Sequence, residues 1–428
     1  MAVADGASEQ APAEVKQSNR LLFRNRDYTG WWIGATVSEY GTALSTVAYP
    51  LLILFVTGSS TSAGVVAAAE SIGGLITMLI GGALADRVSR RALLLASPLV
   101  QAAVVSTVAV AVLTGHVYVS HVAVVGLIQG LVGGLSGGAD FAALRRVVPE
   151  EMLPNAFALA QGRTWAIRLA GPSSGGLLFG VARWLPFLGD AVSFLASALG
   201  VLLIRKPLGP DPDEHADERE SILASIAGGF RYIRSNAYLR FLTIWTGLEN
   251  CLINGLLILV IVLIHSRHGS ATLIGAVSSL GAVGGLIGAS VSSRIAKRIP
   301  GRPLVIAVSW IMVAATVGIA LVPNPWAIGA LIALMFVLIA PLNVVFGTYE
   351  VRMIPDALMG RVSSAISFGA SSVRWLGPLS AGTLASVFSP SVATLVFAGV
   401  QAAVAMSTFI ASGLHVLGRP IDEVTANA

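Results

Sequence analysis

Residues 167–176 read IRLAGPSSGG, and residues 373–382 read VRWLGPLSAG. Each places an arginine in a long apolar stretch, three residues ahead of a Gly-Pro pair. Charge is costly in lipid, about 2.5–3.5 kcal/mol for an arginine at a helix centre on insertion scales. A chain that does this twice, 206 residues apart, carries a duplicated unit.

The match widens on both sides of the arginines. RRVVPEEMLPN (145–155) lies without a gap over VRMIPDALMGR (351–361), so that Arg146/Arg352, Pro149/Pro355 and Arg168/Arg374 coincide. So do Gly171/Gly377, Pro172/Pro378, Ser174/Ser380 and Gly176/Gly382. At an offset of 210, Arg24/Arg234, Tyr28/Tyr238 and Glu39/Glu249 coincide as well. Two related halves are the pattern of parallel repeats in a secondary transporter, whose substrate site lies near the midplane between them.

Composition names the solvent. Of 428 residues, 55% are hydrophobic and 11% charged, with a mean hydropathy of +0.80; soluble domains carry about 25% charged residues. Apolar runs long enough to cross a bilayer recur along the whole chain. Twelve spans are expected, over 30–56, 63–85, 92–114, 118–140, 154–180, 184–204, 238–264, 270–292, 303–322, 326–348, 358–386 and 390–416. Lipid cannot satisfy backbone polar groups, so the architecture is all-α: two pseudo-symmetric six-helix bundles. Of the 27 lysines and arginines, 22 fall on one side, in the tails and around the loops after even-numbered spans. The positive-inside rule makes that side, with both termini, cytoplasmic. The expected division is a cytoplasmic tail (1–28), a first bundle (29–204), a cytoplasmic linker (205–236) whose charged, proline-containing part, 204–225, is expected to be flexible, a second bundle (237–416) and a second tail (417–428).

Several functions are excluded by what is missing. The net charge of +5 is spread over membrane-flanking loops and forms no nucleic-acid stripe with aromatics. None of the three lysines is followed by Ser or Thr, so no Walker phosphate loop exists. The six histidines form no ligand-like group. There is no Gly-x-Ser-x-Gly elbow, and the single Cys251 excludes an intramolecular disulfide. The N-terminal stretch has no apolar core of a signal peptide. No enzyme is expected, and no metal or cofactor.

GGALADRVSRR (81–91), after span 2, resembles the loop 2–3 signature of the major facilitator superfamily, with Ser89 where that signature has glycine. A degenerate copy, GASVSSRIAKR, follows span 8. Gly-Pro-x-x-Gly-Gly at 171–176 resembles the span-5 motif of the family's exporters, with Ile167 in place of a glycine. VPEEMLPNAFAL, DAVSFLASAL and IPDALMGRVSS look like the branch holding the enterobactin exporter and macrolide and multidrug efflux proteins. The resemblance implies alternating access, and a cytoplasmic gate in which Gly82, Asp86, Arg87 and Arg90 meet the entry of span 11 near Arg361.

The candidate chemistry lies in the spans. Arg163, Arg168 and Arg374 need water or an acid, and the intramembrane acids are Glu39, Glu70, Asp190 and Glu249. Counted from the cytoplasmic side at 1.5 Å per residue, Glu39 and Arg163 are both ~13 Å deep and Glu249 ~15 Å. Glu70, Arg168 and Arg374 are all ~21–23 Å deep. A shallow Glu39–Arg163 pair and a deeper Glu70–Arg168–Arg374 cluster are therefore allowed. Such pairs act either as a proton and substrate relay or as static ion pairs. Glu39 is the first candidate to titrate, ahead of Glu70 and Glu249; Asp190, near the outer end of span 6, reads as structural. Gly171-Pro172 and Gly377-Pro378 are expected to bend spans 5 and 11. Trp31 and Trp32 read as interface anchors, Trp165 and Trp375 as deeper packing or substrate contacts.

The expectation is a monomeric transporter of the inner membrane that exports a hydrophobic or amphipathic small molecule, such as an antibiotic, in exchange for protons. A siderophore exporter and a proton-coupled importer are the alternatives. The partners are the small molecule, protons and lipid, with the proton gradient as the energy source.

Overall fold

A computed structural model describes residues 21–85, 89–204, 222–355 and 358–418. Spans 1–6 are α1 (Arg26–Thr57), α2 (Ser60–Ala85), α3 (Arg90–Leu113), α4 (Val119–Val147), α5 (Leu153–Val181) and α6 (Leu185–Leu202). A helix α7 (Ile222–Ser235) precedes the second bundle. Spans 7–10 are α8 (Ala237–Ser266), α9 (Ala271–Arg298), α10 (Gly301–Leu321) and α11 (Pro325–Met353). Span 11 is two helices, α12 (Met359–Ser372) and α13 (Leu376–Val387); span 12 is α14 (Pro390–Ile410) with a 3₁₀ turn, Ser412–Gly418, behind it.

Local chemistry sets the starts. Asn25 and Asn236 cap spans 1 and 7 in the same way, each side chain accepting from the two backbone N–H groups that open the helix. Ser89 accepts from Ala92 N at 3.1 Å and caps span 3. Serine in the glycine position of the loop signature thus gives the helix a cap that glycine lacks.

Packing repeats the sequence duplication. Spans 2 and 4, 3 and 6, and 1 and 5 pair in the first bundle; 8 and 10, 9 and 12, and 7 and 11 pair in the second. The bundles meet along span 5 on span 8 and span 11 on span 2, again related pairs. Large apolar side chains such as Leu199, Val181, Val387 and Ile410 remain exposed on the outside, where lipid lies. Ten helices among the described residues are long and apolar enough to cross a membrane. The other two spans are 5 and 11, the pair that carries the arginines and the Gly-Pro steps.

Three expectations are corrected. First, the Gly-Pro steps do not act alike. In both copies the arginine is four residues before the proline, so its carbonyl is the one proline cannot reach with an N–H. In span 11 the backbone tightens: Gly377 N takes Arg374 O at 3.2 Å, Leu376 N takes Val373 O, and the helix breaks at 373–375. Span 5 runs through Pro172 as one helix, and Ser173 N donates to Ser279 Oγ of span 8 at 3.0 Å. Second, the linker is not flexible throughout. Residues 205–221 lie outside the described ones, but α7 docks on spans 10 and 11: Tyr232 Oη donates to Met353 O at 2.9 Å, and a Cβ on Gly229 would stand 2.4 Å from Arg361 O. Third, span 12 ends at Ile410, six residues short of the expected end, where the chain turns into the 3₁₀ segment.

Candidate functional site

We call the side of Arg26 and Gly418 the basic side. On the opposite side the bundles touch backbone to backbone. A Cβ on Gly176 would stand 2.4 Å from Ala271 O, and one on Gly275 would stand 2.3 Å from Pro172 O. The related seam has the same construction: 2.4 Å from Gly382 to Ser60 O, and 2.4 Å from Gly64 to Pro378 O. Only glycine permits such approach. Thr61 Oγ1 donates to Ser386 Oγ at 2.8 Å, and the Phe55 and His265 rings lie 4.5 Å apart, across the same end.

Between these seams and the basic side lies a cavity of about 940 Å³, at the upper end of the ~300–1,000 Å³ usual for small-molecule sites. Both bundles line it. Its wall runs along span 1 from Pro50 down to Trp31 and along span 6 to Val201, both near the basic ends of their helices. The molecule is therefore closed on the opposite side.

Five of the six charged candidates reach this cavity: Glu39, Glu70, Arg163, Arg168 and Arg374. Glu39 Oε2 lies 3.2 Å from Arg163 Nε, with side chains 32% and 12% exposed. The N–H does not point along that line, so this is an ion pair rather than an aligned hydrogen bond. Arg163 also stands 5.5 Å from the Trp31 ring, a contact worth about 0.5–1 kcal/mol. Arg374, set in the break of span 11, donates from Nε to Asn254 Oδ1 at 3.2 Å. Among the described residues Arg168 has no acid in contact; its guanidinium lies 5.7 Å from the Trp165 ring. The depth count grouped Arg168, Arg374 and Glu70; all three line the cavity, but none of them forms an ion pair with another among the described residues.

Glu249 stands apart. It is 4% exposed, is absent from the cavity wall, and accepts from Gln401 Nε2 at 3.2 Å; Gln401 in turn accepts from Thr316 Oγ1 at 2.7 Å. At the 206 offset, the counterpart of Arg163 is Gly369, so the second bundle has no arginine at the matching position. Asp190 is wholly buried in the first bundle and accepts from Ser45 Oγ at 2.5 Å. Gly171 packs on Ala43 of span 1 and Gly377 on Cys251 O of span 7, each within its own bundle, while the Pro172 and Pro378 carbonyls lie in the seams against Gly275 and Gly64. Asp86 and Arg87 of the gate lie outside the described residues, and Gly82 and Arg90 are described only as parts of α2 and α3. Arg361 opens α12 on the basic side.

Sequence reasoning missed part of the wall. Tyr49, Gln101, Gln129 and Asn254 all line the cavity, and three are under one-tenth exposed. The available signal was glutamine and asparagine inside apolar spans, where each must find a partner or a cavity.

Residues 31–378 match the family described as the Major Facilitator Superfamily. The chain is 28% identical over 374 residues to the "Multidrug efflux pump Tap" of Mycolicibacterium fortuitum, covering 82% of this chain and 87% of that protein. Two solved structures share the fold. A point variant of the nucleoside transporter NupG aligns with a TM-score of 0.70 at 13% identity, over 90% of this chain and 100% of that one. A bacterial homologue of the iron transporter ferroportin, in an inward-facing state, gives 0.66 at 17% identity, over 90% and 99%.

Proposed function

The chain belongs to the Major Facilitator Superfamily, and from that premise we propose that it exports a hydrophobic or amphipathic small molecule in exchange for protons. It is a multi-pass membrane transporter and not an enzyme. The observation that carries the proposal is the Glu39–Arg163 ion pair on the wall of a cavity shared by both bundles. Movement of span 1 against span 5 separates the two and lets Glu39 take a proton. Glu70, on the same cavity wall, is the second candidate carboxylate in this reading.

The wall suits an amphipathic cargo. Trp31, Trp165, Tyr49 and Phe336 offer flat apolar surface, and a few polar groups fix orientation. Export is supported by the relative described as a multidrug efflux pump and by the Gly-Pro-x-x-Gly-Gly stretch of span 5. The basic side is cytoplasmic in this reading, the membrane is the inner one, and the protein acts as a monomer. In this reading Asp86 and the arginines beside it in the sequence form the cytoplasmic gate together with the start of α12. Resistance to antibiotics is the expected phenotype.

The test is accumulation of macrolides, tetracyclines, cationic dyes and catecholate siderophores in a host stripped of its own efflux pumps. Lower accumulation of at least one compound, abolished by a protonophore, is expected. Unchanged accumulation of every compound, or accumulation that rises with the protein, contradicts export.

A further inference from the structure

Charge in the cavity does not balance. Three arginines and two glutamates line it. Glu39 lies against Arg163. Arg374 is held by Asn254 Oδ1 at 3.2 Å. The remaining cation, Arg168, is exposed to the cavity and has an indole beside it, but among the described residues no carboxylate is in contact with it. A guanidinium set at membrane depth without an anion is costly, and a cation–π contact of roughly 0.5–2 kcal/mol offsets only part of that cost.

The indole is itself unusual in position. Trp165 crosses the seam between the bundles: a Cβ on Gly285 of span 8 would stand 2.2 Å from its ring. The ring is wedged against span 8 on one side and lines the cavity beside Arg168. A fixed flat surface next to a fork of donors matches one kind of molecule.

We propose that the transported molecule carries an anionic group, a carboxylate or an acidic phenol, on a flat aromatic body. The anion sits on Arg168, and the ring stacks with Trp165. Arg168 is five residues beyond Arg163, about 7.5 Å along the helix, so the anion does not displace Glu39 from its arginine. This inference rests on the reading of the cavity as the transport site.

The test is binding to the purified full-length protein in detergent, with no gradient present, read by tryptophan fluorescence. The probes are 1-naphthoate and its neutral isostere 1-naphthamide. The wild type is expected to bind naphthoate at least tenfold more tightly than the amide. Arg168→Gln is expected to bring naphthoate down to the amide and leave the amide unchanged. Arg168→Lys keeps the charge and is expected to keep part of the preference, which separates loss of the anion seat from loss of the fold. Trp165→Leu weakens both probes. Equal affinities in the wild type, no binding of naphthoate, or a preference that survives Arg168→Gln overturns the inference. Because no transport is measured, a protein that binds naphthoate yet exports nothing contradicts the transport reading alone.

Discussion

The glycine seams hold the opposite side shut, and a single methyl group tests this. In Gly176→Ala the new Cβ would stand 2.4 Å from Ala271 O and 2.9 Å from Gly275 Cα. Ordinary contact begins near 3.4 Å, so the two helices must part by about 1 Å on one side. Overpacking of that kind costs about 1–3 kcal/mol. The cost falls on the state closed at this end, because a state open there has no such contact. It therefore shifts the population by roughly 5- to 150-fold toward the open state. The Thr61 and Ser386 hydroxyls, 2.8 Å apart across the sister seam, supply the gauge. With Cys251→Ser as background, Thr61→Cys and Ser386→Cys should oxidise rapidly to a disulfide, since the hydroxyl oxygens the sulfurs would replace lie 2.8 Å apart. Adding Gly176→Ala should slow this at least fivefold; Gly399→Ala, with nothing within 4 Å of its Cβ, should not. An unchanged oxidation rate in Gly176→Ala refutes the view that the seam holds the closed state.

Other consequences concern single side chains. Glu249→Gln should keep gradient-driven transport, since Glu249 lies behind the cavity wall on Gln401; a loss as large as that in Glu39→Gln, assayed side by side, contradicts the assignment. Asp190→Ala removes the acceptor of Ser45 in a fully buried site and should cost about 1–3 kcal/mol, read as a lower Tm, while Asp190→Asn loses far less. A transport defect at unchanged Tm would instead place Asp190 in the transport cycle. Asn254→Leu frees the Arg374 guanidinium and should raise the substrate concentration for half-maximal transport roughly tenfold, equivalent to about 1.4 kcal/mol, with little change in maximal rate.

The duplicated architecture was legible because arginine, glycine and proline in lipid leave few alternatives. Their spacing alone related span 5 to span 11, and the seams are built from those same residues. Depth along a helix was legible too, and it allowed the Glu39–Arg163 contact. Azimuth was not: Glu39 and Glu249 sit at matching depths, yet one faces the cavity and the other faces Gln401. The break in span 11 was hidden for a different reason. Both spans lose the same donor to proline, and what differs is the neighbour, since Ser279 takes the Ser173 N–H beside span 5. Helix α7 was masked by the charged, proline-containing stretch before it; its docking depends on Gly229 and Tyr232 meeting helices more than 100 residues away.

Proton exchange at Glu39 is the core of the account, and proton flux in liposomes tests it most directly. Purified protein is reconstituted with a pH-sensitive dye inside, and an exported compound identified by accumulation is added as a pulse. The wild type should move protons against the compound, giving a pH change that scales with its concentration. Glu39→Gln should bind the compound and move no protons. Substrate-driven proton movement that persists in Glu39→Gln contradicts the account.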